Sequence, residues 1–243
     1  MEQALPSMKA PRWLTRCVVL TCFVLFVGSV ACSDEQPLTV ATVTHKFQDT
    51  GCELDLCYPR FAGGQASICK ELNEVIDAII ESHTKPNDEG NKASQWSLRY
   101  DLGILTPKLV SMRLRCWSYL AGAAHGSGRY VFLNRKLASN LPEIKLKDVL
   151  GESADYGKLS QMVATKLKAT AKGQIWVDGL VSGPNDSLFT IEKSGLRWSY
   201  DSYALGSYSL GMPEALVTYP ELEKIVCADF LPIFKTWRQE NGL

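Results

Sequence analysis

Two stretches near the middle of the chain alternate between apolar and polar residues. Trp96, Leu98, Tyr100 and Leu102 occupy every second position, and so do Val110, Met112, Leu114 and Cys116, set against Ser111, Arg113 and Arg115. A period of two puts successive side chains on opposite faces of a strand, so this region predicts half-buried antiparallel strands. The Gly- and Ala-rich segment 121–128 predicts a turn, and 129–133 a returning strand. Residues 109–133 therefore predict a hairpin with a wide tip.

Around it the period changes. Over 67–82 the apolar positions Ile68, Cys69, Leu72, Val75, Ile76, Ile79 and Ile80 fall on one helical face, with Lys70, Glu71, Glu74, Asp77 and Glu81 outside. A second helix is predicted over 156–170, with Leu159, Met162, Val163 and Leu167 inward. Strands are predicted at 39–45, 52–58, 188–192, 196–200 and 214–218, with Ser194-Gly195 as a turn. Pro59 and Gly63-Gly64 predict a break, and the polar run 83–94 a loop. Pro220 suits the start of a short helix, and Pro232 predicts a separation before the last aromatic turn, ending at Trp237. The expectation is an α+β fold, an antiparallel β-sheet with helices packed on one face.

The first 31 residues read as an address. Lys9, Arg12 and Arg16 precede an apolar run from Cys17 to Val27, and small residues Ser29 and Ala31 lead to Cys32. This is the order of a secretory signal peptide, and the run is short for a spanning helix, which needs about 20 residues. Ser29-Val30-Ala31 fits ordinary cleavage. With Cys32 it also resembles a bacterial lipobox, although Ser29 stands where that pattern favours Leu. The expectation is export, lipidation at Cys32, a tether over 32–37 and an envelope domain over 38–243, in the periplasm or on the outer membrane.

The chain carries 26 basic and 26 acidic side chains, and three Lys/Arg and one Glu leave with residues 1–31. That balance gives no case for nucleic acid. Cys52, Cys57, Cys69, Cys116 and Cys227 remain beside Cys32, and export permits disulfides whose connectivity spacing cannot give. Cys52 and Cys57 form a single loose pair with no second pair, so no metal site is expected, and no cofactor.

Enzymatic motifs fail in turn. Ser207-Tyr208-Ser209-Leu210-Gly211 is a faint nucleophile elbow, but its histidine would have to follow in the chain, and the last histidine is His125. His45, His83 and His125 are too scattered for a zinc hydrolase. A carboxylate pair for glycan hydrolysis stays open as an alternative. Three residues suit recognition: His125 in the small-residue turn, and Tyr203 and Tyr208 on a loop with Gly206 and Gly211. His125 equally suits fixing its own turn. Tyr200 is expected to pack inward.

The order of motifs over 119–226 resembles the extracellular domain family of the lysozyme-sensing anti-sigma factor RsiV and the peptidoglycan deacetylase PdaC. Trp117 and Tyr119 precede Gly122-Ala123-Ala124-His125-Gly126, with Ala123 where the family has Gly. Asn134 precedes Ile144, Leu146, Asp148, Val149 and Leu150. Phe189, Gly195-Leu196, Trp198, Tyr200, Tyr203, Tyr208 and Gly211 follow, then Tyr219-Pro220-Glu221-Leu222. Residues 38–120 resemble the region preceding that domain, and 121–243 the domain itself. The resemblance implies a non-catalytic envelope module binding a lysozyme-like protein or peptidoglycan. A structural lipoprotein contacting another envelope protein is a further alternative. The chain shows no sigma-binding segment and no deacetylase domain.

Overall fold

The structure, a computed structural model, describes residues 37–49, 52–84, 94–171, 175–176 and 180–243. The expected signal peptide and Cys32 lie outside these residues. Strands β1 (Thr39–Asp49), β2 (Cys52–Ala62), β3 (Ser94–Leu105), β4 (Leu109–Leu120) and β5 (Ser127–Lys136) form a sheet in chain order. Strands β6 (Phe189–Glu192), β7 (Gly195–Ser199) and β8 (Glu214–Thr218) form a second, also in chain order. The helices are α1 (Ala66–Thr84), α2 (Leu146–Leu150), α3 (Tyr156–Thr170), α4 (Tyr219–Leu222) and α5 (Leu231–Glu240).

The α+β class and the predominance of antiparallel pairing follow the expectation. Two details differ. The strands divide between two sheets, and β2 and β3 run parallel, Cys52 to Leu56 against Ser94 to Leu98. Helix α1 lies between β2 and β3 in the chain, and such a crossover returns the chain to the end where it started, so the next strand runs parallel.

Strand β2 also continues through Pro59, where a break was expected. Phe61 shows why. Its N–H donates to Asn73 Oδ1 at 2.9 Å, and its C=O accepts from Asn73 Nδ2 at 3.0 Å. Asn73 stands on α1, so the backbone at Phe61 points away from β1. Pro59, two residues earlier, faces the same way, and its missing N–H costs no ladder bond to β1.

Two hydrophobic cores result. Ile68, Leu72 and Ile76 of α1 pack with Leu98, Met112, Leu114 and Cys116 on one face of the large sheet. Full burial of each such Leu or Ile contributes about 1.5–3 kcal/mol. The other core joins Leu159, Val163 and Leu167 of α3 to Phe189, Ile191, Trp198 and Val217 of the small sheet, and to Phe234 of α5. Among the described residues, Leu38 is the first to pack against either core. Ile104 and Leu109 at the β3–β4 turn belong to the second core; apart from them the changeover falls between Leu141 and Ile144, after the β4–β5 hairpin.

The small sheet meets the large one on the face opposite α1. Ile191 N–H donates to Ser111 Oγ at 2.7 Å, and Asn134 Nδ2 donates to Phe189 O at 2.7 Å. Ser111 Oγ and Asn134 Oδ1 are 2.6 Å apart, closing the chain of bonds. Both side chains are buried. They satisfy the outer edge of β6, which no described strand covers. A Cβ at Gly103 would lie 2.2 Å from Ile191 O, so this close approach requires glycine.

The expected disulfides are absent: no two of the described cysteines are joined. Cys52 and Cys57 lie on one strand five positions apart, on opposite faces and roughly 16 Å from each other at a strand's rise per residue, beyond the reach of a disulfide. Cys116 is buried in the sheet and Cys69 donates to Phe61 O.

Candidate functional site

The tip of the β4–β5 hairpin is built around Trp117. The indole packs so closely on Gly126 that a Cβ there would sit 2.3 Å from it. Tyr119 stacks beside Trp117, with ring centroids 6.4 Å apart. Gly122 takes φ +87°, a value that suits glycine, and Ala123 N–H donates to Leu120 O at 2.9 Å. His125 then stands exposed at the end of the turn.

A second segment is carried to this tip by the small sheet. Tyr200 anchors its base: its N–H donates to Pro213 O at 3.0 Å and its hydroxyl to Leu180 O at 2.7 Å. It packs inward, as expected. Asp201 and Ser202 then pair with the outer edge of β5. Tyr130 N–H donates to Asp201 Oδ1 at 2.7 Å, Gly128 N–H to Ser202 Oγ at 3.0 Å, and Ser202 N–H to Gly128 O at 2.9 Å. The next residue, Tyr203, is delivered beside His125. A 3-10 turn over Tyr208–Leu210 brings in Tyr208.

The three residues singled out in the sequence, although His125 and Tyr203 are 78 positions apart, thus form one cluster. His125 stacks on Tyr208 with centroids 4.0 Å apart and planes 15° apart. It lies 5.3 Å from the Tyr203 ring, and the two tyrosine rings are 5.8 Å apart. His125 Nδ1 is 3.1 Å from Gly126 O, and Nε2 meets the Tyr203 hydroxyl. With the proton on Nδ1, the ring donates to Gly126 O and accepts from Tyr203. His125 therefore fixes its turn and also presents a surface. Tyr203 and Tyr208 remain 44% and 39% exposed. Such a cluster offers apolar ring faces and hydroxyls for noncovalent contact.

Behind it lies a charged network that the sequence did not announce. Arg113 is buried, its Nε donating to Asp101 Oδ2 at 3.0 Å. Its Nη1 donates to Ser199 Oγ at 2.8 Å and lies 3.1 Å from Glu214 Oε2. Tyr130 donates to Glu214 Oε1 at 2.6 Å. Burial, then the Glu214 carboxylate, push the Tyr130 hydroxyl well above its ordinary range and keep it a donor. Period two signals that Arg113 faces away from Met112 and Leu114, but not that a second sheet covers it there. Asp101 and Glu214 both accept from one guanidinium, an arrangement that joins the two sheets. Among the described residues no group of three or more His, Cys, Asp or Glu is placed to hold a metal ion.

No family model matches the sequence, and no curated protein matches it. Solved structures share the fold. A member of the DUF3298 family from Bacteroides fragilis is 15% identical, with a TM-score of 0.53, over 84% of this chain and 98% of that one. A DUF3298 family protein from Pseudomonas aeruginosa is 16% identical, with a TM-score of 0.53, over 80% and 96%. At these identities the likeness is one of fold. The likeness to the RsiV-like and PdaC-like domains rests on motif order alone.

Proposed function

We propose that this DUF3298-like fold serves as a non-catalytic recognition module of the bacterial cell envelope, exported and lipid-anchored through Cys32, and that the His125–Tyr203–Tyr208 cluster is its contact surface. The convergence of three exposed aromatic side chains from two distant segments carries this reading. Their rings stack on one another at a loop tip instead of lining a groove. Such a knob suits insertion into the concave surface of a folded protein, and a lysozyme-like protein is the ligand class that the motif order favours. Peptidoglycan is the other candidate.

Residues 33–243 contain both cores and provide the material for the test. The domain is presented in parallel with lysozyme and insoluble peptidoglycan. Capture of lysozyme, weakened by Tyr208→Ala by at least about 1 kcal/mol, or roughly fivefold, supports the protein-binding reading. Capture by peptidoglycan alone moves the ligand to the glycan. Failure of well-folded protein with both removes the proposal. The anchor is tested separately: Cys32→Ser should release the protein from the membrane fraction, and an unchanged distribution would refute lipidation.

A further inference from the structure

A cavity of about 280 Å³ lies on the α1 face of the large sheet, between the last turn of α1 and the ends of β3, β4 and β5 nearest the hairpin tip. Its lining is one-sided in chemistry. Arg129 contributes a guanidinium, and Ser118 and Ser127, directly opposed across β4 and β5, contribute hydroxyls. Trp96 and Leu120 supply an apolar part. None of the described lining residues is Asp or Glu.

Among the described residues Arg129 makes no ion pair with a carboxylate, and neither serine hydroxyl has a hydrogen-bond partner. Arg129 does reach the Cys116 thiol, which burial pushes up to about 11 and so keeps neutral. His83, at the end of α1, has its Nε2 3.2 Å from Ser97 O. Burial, with help from the Arg129 charge, holds its pKa below the ordinary histidine value despite its backbone hydrogen bonds. Among the described lining residues, the fixed charge at neutral pH is therefore that of Arg129.

We propose that this cavity binds a monosaccharide-sized molecule bearing a carboxylate, the carboxylate seated on Arg129 with the Ser118 and Ser127 hydroxyls, and the ring against Trp96 and Leu120. A guanidinium presents a planar fork that matches a carboxylate with two parallel hydrogen bonds. One such cation balances one carboxylate, whereas a phosphate dianion would keep an excess charge. The volume is near the small end of ligand sites, about 300 Å³. The site stands apart from the His125 cluster, on the opposite face of the sheet, so either assignment can fail without the other.

The test is an NMR titration of residues 33–243 with two sugars that differ in one group. N-acetylmuramic acid carries a lactyl carboxylate and N-acetylglucosamine lacks it. The expected result is a saturable shift of the Trp96 indole N–H with the acid, and binding of the neutral sugar weaker by about tenfold, or 1.4 kcal/mol. Arg129→Met should lose a comparable factor with an unchanged far-UV spectrum, and Arg129→Lys should lose less. Equal binding of the two sugars, undiminished binding by folded Arg129→Met, displacement of the acid by inorganic phosphate at equal affinity, or no saturable shift at millimolar concentrations would each overturn the assignment.

Discussion

Tyr203 holds its backbone at φ +67°, a left-handed conformation that costs an ordinary residue roughly 1 kcal/mol more than glycine. The loop accepts that cost because Asp201 and Ser202 are already committed to β5, and the turn after them must aim the ring at His125. The usual order of substitutions should therefore invert. Both Tyr203→Ala and Tyr203→Gly lose the ring, but the glycine variant should be the more stable by about 0.5–1 kcal/mol in urea denaturation. An alanine variant equal or superior in stability would mean that the loop relaxes and the strain is not imposed. The three site residues were legible in the sequence as residue types: a histidine among small residues, tyrosines among glycines. Their meeting was not, because it depends on hydrogen bonds from Gly128 and Tyr130 to Asp201 and Ser202, which no periodicity encodes.

At the scale of elements, helix α4 is four residues long and depends on its cap. Thr218 N–H and Oγ1 both donate to Glu221 Oε2 at 2.8 Å, and Lys166 of α3 pairs with Glu221 Oε1 at 2.9 Å. Burial alone would raise the Glu221 pKa. The Lys166 ammonium and the Thr218 bonds outweigh it and lower the pKa to about 2. A carboxylate depressed in the folded state stabilises the fold above its unfolded pKa, and that contribution is lost as pH falls through the folded value. Glu221→Gln should thus be less stable than the parent at pH 7, and the difference should shrink between pH 4.5 and about 2. A gap between the two proteins that stays constant with pH would show the capping bonds to be indifferent to charge. Elements with a clear period were legible in the sequence: α3 and β8 have the expected bounds. Those decided by tertiary partners were not. Pro59 read as a break because Asn73 could not be foreseen opposite it. Pro232 read as a separator, yet it stands in the first turn of α5, where a missing N–H is harmless. Helix α2, only five residues long, has too few positions for a period to show.

Across the whole molecule, two cores share one seam, and Gly103 is its tightest point. An alanine there would set a methyl group 2.2 Å from Ile191 O and 2.7 Å from Thr190 Cγ2. A backbone carbonyl cannot turn aside as a side chain can, so β6 would have to move. Gly103→Ala should cost about 3 kcal/mol, and thermal unfolding should separate into two steps where the parent shows one. A cost under about 0.5 kcal/mol, the scale of an ordinary surface substitution, would mean that the sheets are held together elsewhere. That two sheets exist was hidden in the sequence because β6 to β8 look like further strands of one sheet; only the burial of Ser111 and Asn134 separates the layers. The way these layers are joined also governs how they can be assembled wrongly. A strand ladder that slips by two residues still pairs, leaving a chain trapped in a near-miss. Ser111, Asn134 and Gly103 instead act like the cuts of a key: Phe189 and Ile191 fit them in one alignment, and a shifted approach meets a blocked or empty position. The join between the sheets thus admits one alignment.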